Sequence, residues 1–180
     1  KVKMVCTDMN AGYMAMIKYI FPNATVIIDR FHIIQALNNS LNNLRIHIMK
    51  RFNTVLKDDT KDEIKEKEQI YKQFKAYWKL LLKREDEVSI DDYEKKDHFK
   101  QWITSREIVR HLINQDEVLK DAYYTTQMLY DAFDVRNYKG FFDIMNSNRD
   151  TIAEEFSATF KTFINNKSYI ENSLRYNLSN

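Results

Sequence analysis

Cysteine, proline and glycine are nearly missing from this chain of 180 residues, which holds one Cys, one Pro and two Gly. The single Cys6 excludes a disulfide framework and a Cys-based zinc site within one chain. Inside an apparent strand, it reads as a small buried hydrophobe. So few turn formers leave little for a many-stranded sheet and favour long helices with short connections. No apolar run approaches the roughly 18 residues that span a bilayer, and no signal peptide opens the sequence. A reducing, cytoplasmic setting without a membrane is expected. A Gly-rich phosphate loop, a nucleophile elbow and an HExxH helix are absent as well. His47, His98 and His111 have no acidic or Cys partner at metal-ligand spacing, so no role is assigned to them.

What is present is an ordinary globular composition: 44% hydrophobic, 30% charged, formal net charge +2. The charge is uneven. Residues 1–56 carry seven basic residues against only Asp8 and Asp29, a net of +5, which leaves the remainder at −3. A basic surface around two aspartates suits a polyanion approaching metal-bound carboxylates. A solvated helix face is the plainer reading of the same charge.

Two β-branched runs, Val2 to Asp8 and Ala24 to Asp29, read as buried strands that each end in a carboxylate. Between them Asn10 can cap a helix on which Met14, Ile17, Ile20 and Phe21 recur at helical spacing until Pro22. This is a βαβ unit. Its parallel strands point the same way, so both carboxylates fall at one edge of the sheet, where open α/β folds place ligands. A chain that opens directly on a buried strand, without a leader or initiator Met, reads as an interior piece of a larger protein.

Beyond the second strand, Ile34, Leu37, Leu41, Leu44, Ile48 and Phe52 predict one long amphipathic helix from Phe31 to about Phe52. Its other face carries Asn38, Asn39, Asn42 and Asn43, amides that either meet phosphates or face water. Residues 57–68 form a mixed-charge boundary. Ile64 to Leu81 marks a second long helix, and a charged stretch from Arg84 to Lys96 follows it. Helical spacing then runs through Ile108, Leu112, Val118, Leu129, Phe133, Phe156, Phe160 and Phe163 toward Asn177. Ser168 and Glu171 have the spacing of a capping box, which predicts a last short helix starting there. The body's many aromatics, among them Tyr77, Trp78 and Trp102, either stack on splayed bases or, at helical spacing, fill a core. The expected class is α/β plus all-α.

Asp8 and Asp29 are the only acids in the first 57 residues. Phosphodiester chemistry needs carboxylates held on rigid strands as hard oxygen ligands for magnesium. Capping the following helix is the alternative for both. His32 lies one helical turn after Asp29, which lets imidazole and carboxylate meet if a helix has begun there. A structural or solvent-facing imidazole is the other reading. Arg30, Arg45, Lys50 and Arg51 are the candidate nucleic-acid contacts.

These residues resemble the central region of ISL3-family insertion-sequence transposases. The likeness rests on Val5-Cys6-Thr7-Asp8-Met9 with Tyr13, on Phe21-Pro22-Asn23-Ala24, and on Ile28-Asp29-Arg30-Phe31-His32-Ile33. It continues through Leu41-Asn42 and Arg45, and through Tyr169-Ile170-Glu171-Asn172-Ser173-Leu174 to Ser179-Asn180. The resemblance implies an RNase H-like DDE enzyme that cleaves and transfers DNA strands with three acidic residues and two divalent metals, Mg2+ or Mn2+. Asp8 matches the second acid of that triad and is the implied catalytic and metal-binding residue. Asp29 and His32 match an accessory Asp-x-x-His element. The first Asp is expected upstream of Lys1 and the catalytic Glu after Asn180. Alone, the fragment should therefore be inactive and hold no metal.

The implied domains are 1–56, a partial RNase H-like catalytic core, 57–177, a helical insertion domain, and 178–180, the start of the return to the core. DNA, both transposon ends and target, is the implied partner. The full-length protein is expected to be a nucleoid-associated homodimer in a bacterial cytoplasm, with no small-molecule substrate. Two other readings stay open: a non-catalytic helical module for DNA binding or dimerisation, and a metal-independent α/β scaffold.

Overall fold

A computed structural model describes residues 2–176. Lys1 and residues 177–180 lie outside that range, and with them the expected return segment, Asn177 and the Ser179-Asn180 part of the tail.

The βαβ unit forms as its sequence suggests. β1 (Met4–Thr7) and β2 (Thr25–Ile28) pair in parallel, Met4 opposite Thr25 and Thr7 opposite Ile28. A parallel pair needs a crossover, which α1 (Ala11–Ile20) supplies. Asn10 caps α1, accepting from the Gly12 N–H at 2.9 Å, and the Phe21 N–H closes the last turn on Ile17, just ahead of Pro22. Both strands were expected to be buried. Val26, Ile27 and Ile28 are, whereas all four residues of β1 are half-buried, because β2 is its only strand partner among the described residues. On α1, Met14 and Ile17 face the core but Ile20 is 52% exposed.

α2 (Arg30–Phe52) is the long helix expected, with Ile33, Leu37, Leu41, Leu44 and Ile48 buried. Ile33 rather than Ile34 leads the stripe. The remaining elements are helical apart from one small hairpin: α3 (Lys61–Leu81), β3 (Glu94–Lys95), β4 (Trp102–Ile103), α4 (Ser105–Ile113), α5 (Glu117–Asp134), α6 (Tyr138–Asn148), α7 (Ser157–Asn165) and α8 (Lys167–Arg175). The chain packs as two compact units, one made of residues up to Asn39 together with those from Met128 onward, the other of Ser40–Gln127. α2 and α5 supply residues to both.

In the first unit, Phe133, Phe141, Phe156, Phe160 and Phe163 form an aromatic core, with ring centres 5.9 Å apart for Phe133 and Phe141 and 6.0 Å for Phe141 and Phe163. The Tyr130 hydroxyl donates to the Asn38 amide oxygen, so one of the α2 asparagines has a packing role. α8 begins at Lys167, not at a capping box. Asn166 takes the cap position with its side chain turned back to the Thr162 carbonyl and not to an α8 amide, and Ser168 already lies within the first turn.

In the second unit, reciprocal caps start α3 (Thr60 with Glu63) and α4 (Thr104 with Glu107). Phe52 stacks on Phe74 with ring centres 5.9 Å apart. β3 and β4 are antiparallel, and the loop joining them is tied to α3. Gln73 and Gln69 donate to the His98 carbonyl at 2.8 and 3.2 Å, and the Tyr77 hydroxyl donates to the Asp97 carbonyl at 2.8 Å. These bonds hold His98 at a left-handed φ of 66°, a conformation unfavourable without such support. Among the described residues, no helix is long and apolar enough to cross a membrane.

Candidate functional site

The parallel ladder extends one rung beyond β2. The Asp29 N–H donates to the Thr7 carbonyl at 2.8 Å, so Asp8 and Asp29, which follow the in-register pair Thr7 and Ile28, are neighbours across the same end of the sheet. Adjacent strands lie roughly 4.8 Å apart, and in-register residues share a face. The two carboxylates are also held alike. Asp8 Oδ1 accepts from the Asn10 N–H, and Asp29 Oδ1 from the Phe31 N–H, both at 3.0 Å. Each turn fixes one oxygen of a half-buried carboxylate. The second oxygen of each has no hydrogen-bond partner among the described residues. At Asp29, which precedes α2, capping and ligation are therefore compatible, one oxygen serving each, while Asp8 holds the amide of Asn10, the residue that caps α1.

Cys6 sits on the same face, two residues before Asp8 and opposite Ile27. Burial and then the Asp29 charge push its thiol pKa up, against a smaller opposite effect of the Thr7 backbone. His32 is half-buried. Its N–H donates to the Asp29 carbonyl at 3.1 Å, and its ring meets Phe31 edge-on at 5.5 Å. No hydrogen bond joins its imidazole to the Asp29 carboxylate, which accepts from the Phe31 amide instead.

Residues from the far end of the sequence complete the sheet. β2 turns the amides of Thr25 and Asp29 toward β1, so the carbonyls of Val26 and Ile28 point to its other edge. There Asn172 Nδ2 donates to Val26 at 2.9 Å and Ser173 Oγ to Ile28 at 2.6 Å. Two α8 side chains thus replace a third strand. Sequence reasoning missed both. The available signal was that Ser173 falls on the buried stripe of Ile170 and Leu174, where a hydroxyl needs a partner.

The basic candidates separate. Arg30 lies over the Phe133 ring at 5.0 Å. Lys50 is exposed, and Arg51, 64% exposed, pairs with Asp116 at 2.7 Å. Arg45 departs from the expectation. It is only 6% exposed; its guanidinium donates to Asn42 Oδ1 at 2.9 and 3.0 Å and to Met49 Sδ at 3.2 Å, and lies 5.8 Å from the Trp78 ring centre. Enclosed in this way, Arg45 has a packing role.

Two adjacent carboxylates on strand ends are the hard oxygen donors that Mg2+ or Mn2+ takes. Among the described residues no group of three or more His, Cys, Asp or Glu could hold a metal ion.

A protein-family model described as Transposase, of the DDE ISL3 type, matches residues 1–180. No curated protein and no solved structure matches the chain.

Proposed function

We propose, because this chain belongs to the ISL3-type transposase family, that it is the central part of an enzyme that cuts and joins DNA during movement of an insertion sequence. The observation that supports this most is the placement of Asp8 and Asp29 as neighbours at one end of a parallel pair, each with one oxygen that has no hydrogen-bond partner among the described residues. Asp8 is the proposed metal ligand, one of three acids that bind two divalent ions, with the other two outside Lys1–Asn180. Bound Mg2+ or Mn2+ would activate the attacking hydroxyl and stabilise the leaving oxygen. This chain's own part is to hold Asp8 and Asp29 rigidly at the sheet end. Asp29 and His32 act as an accessory element through the turn that starts α2.

On this reading residues 1–56 belong to an RNase H-like catalytic core and 57–177 to a helical insertion. Arg30, Lys50 and Arg51 contact DNA, the full-length protein acts as a homodimer, and the isolated fragment is inactive. The test is Asp8→Ala in the full-length protein. Cleavage of transposon-end DNA should be lost while DNA affinity stays within about two-fold, since phosphate contacts by Lys and Arg supply most of the affinity. An Asp8→Ala protein that still cleaves would refute the assignment.

A further inference from the structure

The peptide joining Ile28 to Asp29 is held from both sides. Its N–H donates to Thr7, the residue before Asp8, at 2.8 Å. Its carbonyl accepts from Ser173 Oγ at 2.6 Å. Ile28 is fully buried and Ser173 nearly so, so no water replaces the hydroxyl readily. Ser173 Oγ also lies 2.9 Å from the Tyr169 carbonyl. A hydroxyl has one proton, and the shorter contact is the one to Ile28. Asn172 repeats the arrangement one pleat lower, on Val26.

The direction of α8 follows from two contacts at its ends. α1 starts at the carboxylate end of the sheet, just past Asp8, and finishes at the opposite end. Lys18, near that finish, places its Nζ 5.5 Å from the centre of the Tyr169 ring. Ser173, one turn later on α8, reaches Ile28 at the carboxylate end. α8 therefore runs alongside β2 in the same direction, and the chain leaves it at the end where Asp8 and Asp29 sit.

We infer that Ser173, seconded by Asn172, is a positioning residue for the carboxylate pair: it fixes the peptide that carries Asp29, and so the spacing of Asp29 from Asp8. This rests on the proposed metal-dependent reaction. Asp8 is the proposed ligand, and the same peptide braces the strand end that carries it, since its N–H bonds the Thr7 carbonyl; groups that hold a metal ligand in place typically change metal affinity 10- to 100-fold when removed, and Mg2+ tolerates little departure from octahedral geometry.

The test uses the full-length transposase with Mn2+ as probe. Mn2+ affinity is measured by electron paramagnetic resonance, with cleavage rate against metal concentration, DNA affinity and melting temperature measured alongside. Ser173→Ala should weaken Mn2+ binding about ten-fold and raise the half-saturating metal for cleavage in step, with DNA affinity unchanged. Asn172→Ala, acting two residues farther from Asp29, should shift both by less than Ser173→Ala does. Should Ser173→Ala not fold, Ser173→Cys, nearly the same size but a weak donor, should show the same shift. Variants that lower the melting temperature yet bind Mn2+ as the parent does would overturn the inference. Asp8→Ala separates the two readings. If it retains Mn2+ binding and cleavage, the proposed reaction itself fails; if it loses both while Ser173→Ala and Ser173→Cys leave the metal response unchanged, only the positioning role fails.

Discussion

Asp29 donates its amide to the Thr7 carbonyl at 2.8 Å, and this single rung makes Asp29 the cross-strand neighbour of Asp8. It also sets Asp29 diagonally across from Cys6 on one face of the sheet. Both the charge of Asp29 and the thiol of Cys6 can be read experimentally through that relationship.

Burial first and the Asp29 carboxylate second raise the Cys6 pKa. Asp29→Asn removes the second cause, so the thiolate fraction at a fixed alkaline pH should rise and iodoacetamide should label Cys6 faster. The rate-against-pH curve should move to lower pH and still lie above that of an unhindered thiol, because burial persists. A curve that does not move would mean that the carboxylate is not held beside Cys6.

Arg45 and Lys50 should behave oppositely. Arg45→Ala should cost about 2–3 kcal/mol in urea unfolding, since it empties an enclosed site and leaves Asn42 without its donor. DNA affinity per folded molecule should not change. Lys50→Ala should leave stability within about 0.5 kcal/mol and weaken DNA binding at low salt, lowering the slope of log affinity against log salt by about 1.

Within the fold Asp116 makes two side-chain contacts and Arg51 one. Asp116 Oδ2 pairs with Arg51 at 2.7 Å, while Oδ1 accepts from the Leu119 N–H at 3.1 Å at the start of α5. Arg51 is largely solvent-exposed, so its pairing is screened and Arg51→Ala should cost less than about 1 kcal/mol. Asp116→Ala also loses the cap and should cost about 1 kcal/mol more. Thermal melts of the two variants and the double variant resolve the difference.

Legibility in the sequence followed the range of the interaction. The two strands, the Asn10 cap, α2 and α3 were readable because caps and apolar periodicity act within one or two turns. From the βαβ pattern the common edge of Asp8 and Asp29 followed as well. β3 and β4, two residues each, are too short to show a period. Ser168 and Glu171 have capping-box spacing, yet backbone bonds from Tyr169 and Ile170 to Asn166 start the helix sooner. Arg45 looked like surface charge because nothing local to it announces Trp78. The hold of Ser173 on Ile28 spans 145 positions and has no local trace.

His111 makes unit stability depend on pH. Its ring nitrogen is 2.8 Å from Gln73 Oε1, Phe99 covers it edge-on, and burial lowers its pKa below the usual value near 6.5. In the unfolded chain His111 takes up a proton first. Its contribution is thus complete above about pH 6.5 and declines as pH falls toward the depressed folded value. Urea unfolding at pH 7.5 and pH 5.0 should show a loss on acidification that is smaller in His111→Gln.

Tyr123 is buried, its hydroxyl has no hydrogen-bond partner among the described residues, and burial, then Glu85 and Tyr124, against a smaller opposite effect of Arg106, push its pKa up to about 12. Tyr123→Phe removes a desolvated polar group at little change in shape. Stability should stay equal or rise by up to about 1 kcal/mol, as read from the urea midpoint.

The metal position can be mapped without relying on activity. Fe2+ substituted for Mg2+ in the full-length protein, with ascorbate and peroxide, generates hydroxyl radicals that cut the backbone beside the bound ion. Cuts within a few residues of Asp8 and of Asp29, suppressed by excess Mg2+ and lost near Asp8 in Asp8→Ala, are the predicted result. Mg2+-sensitive cuts confined to other parts of the chain would contradict a metal held at this sheet end.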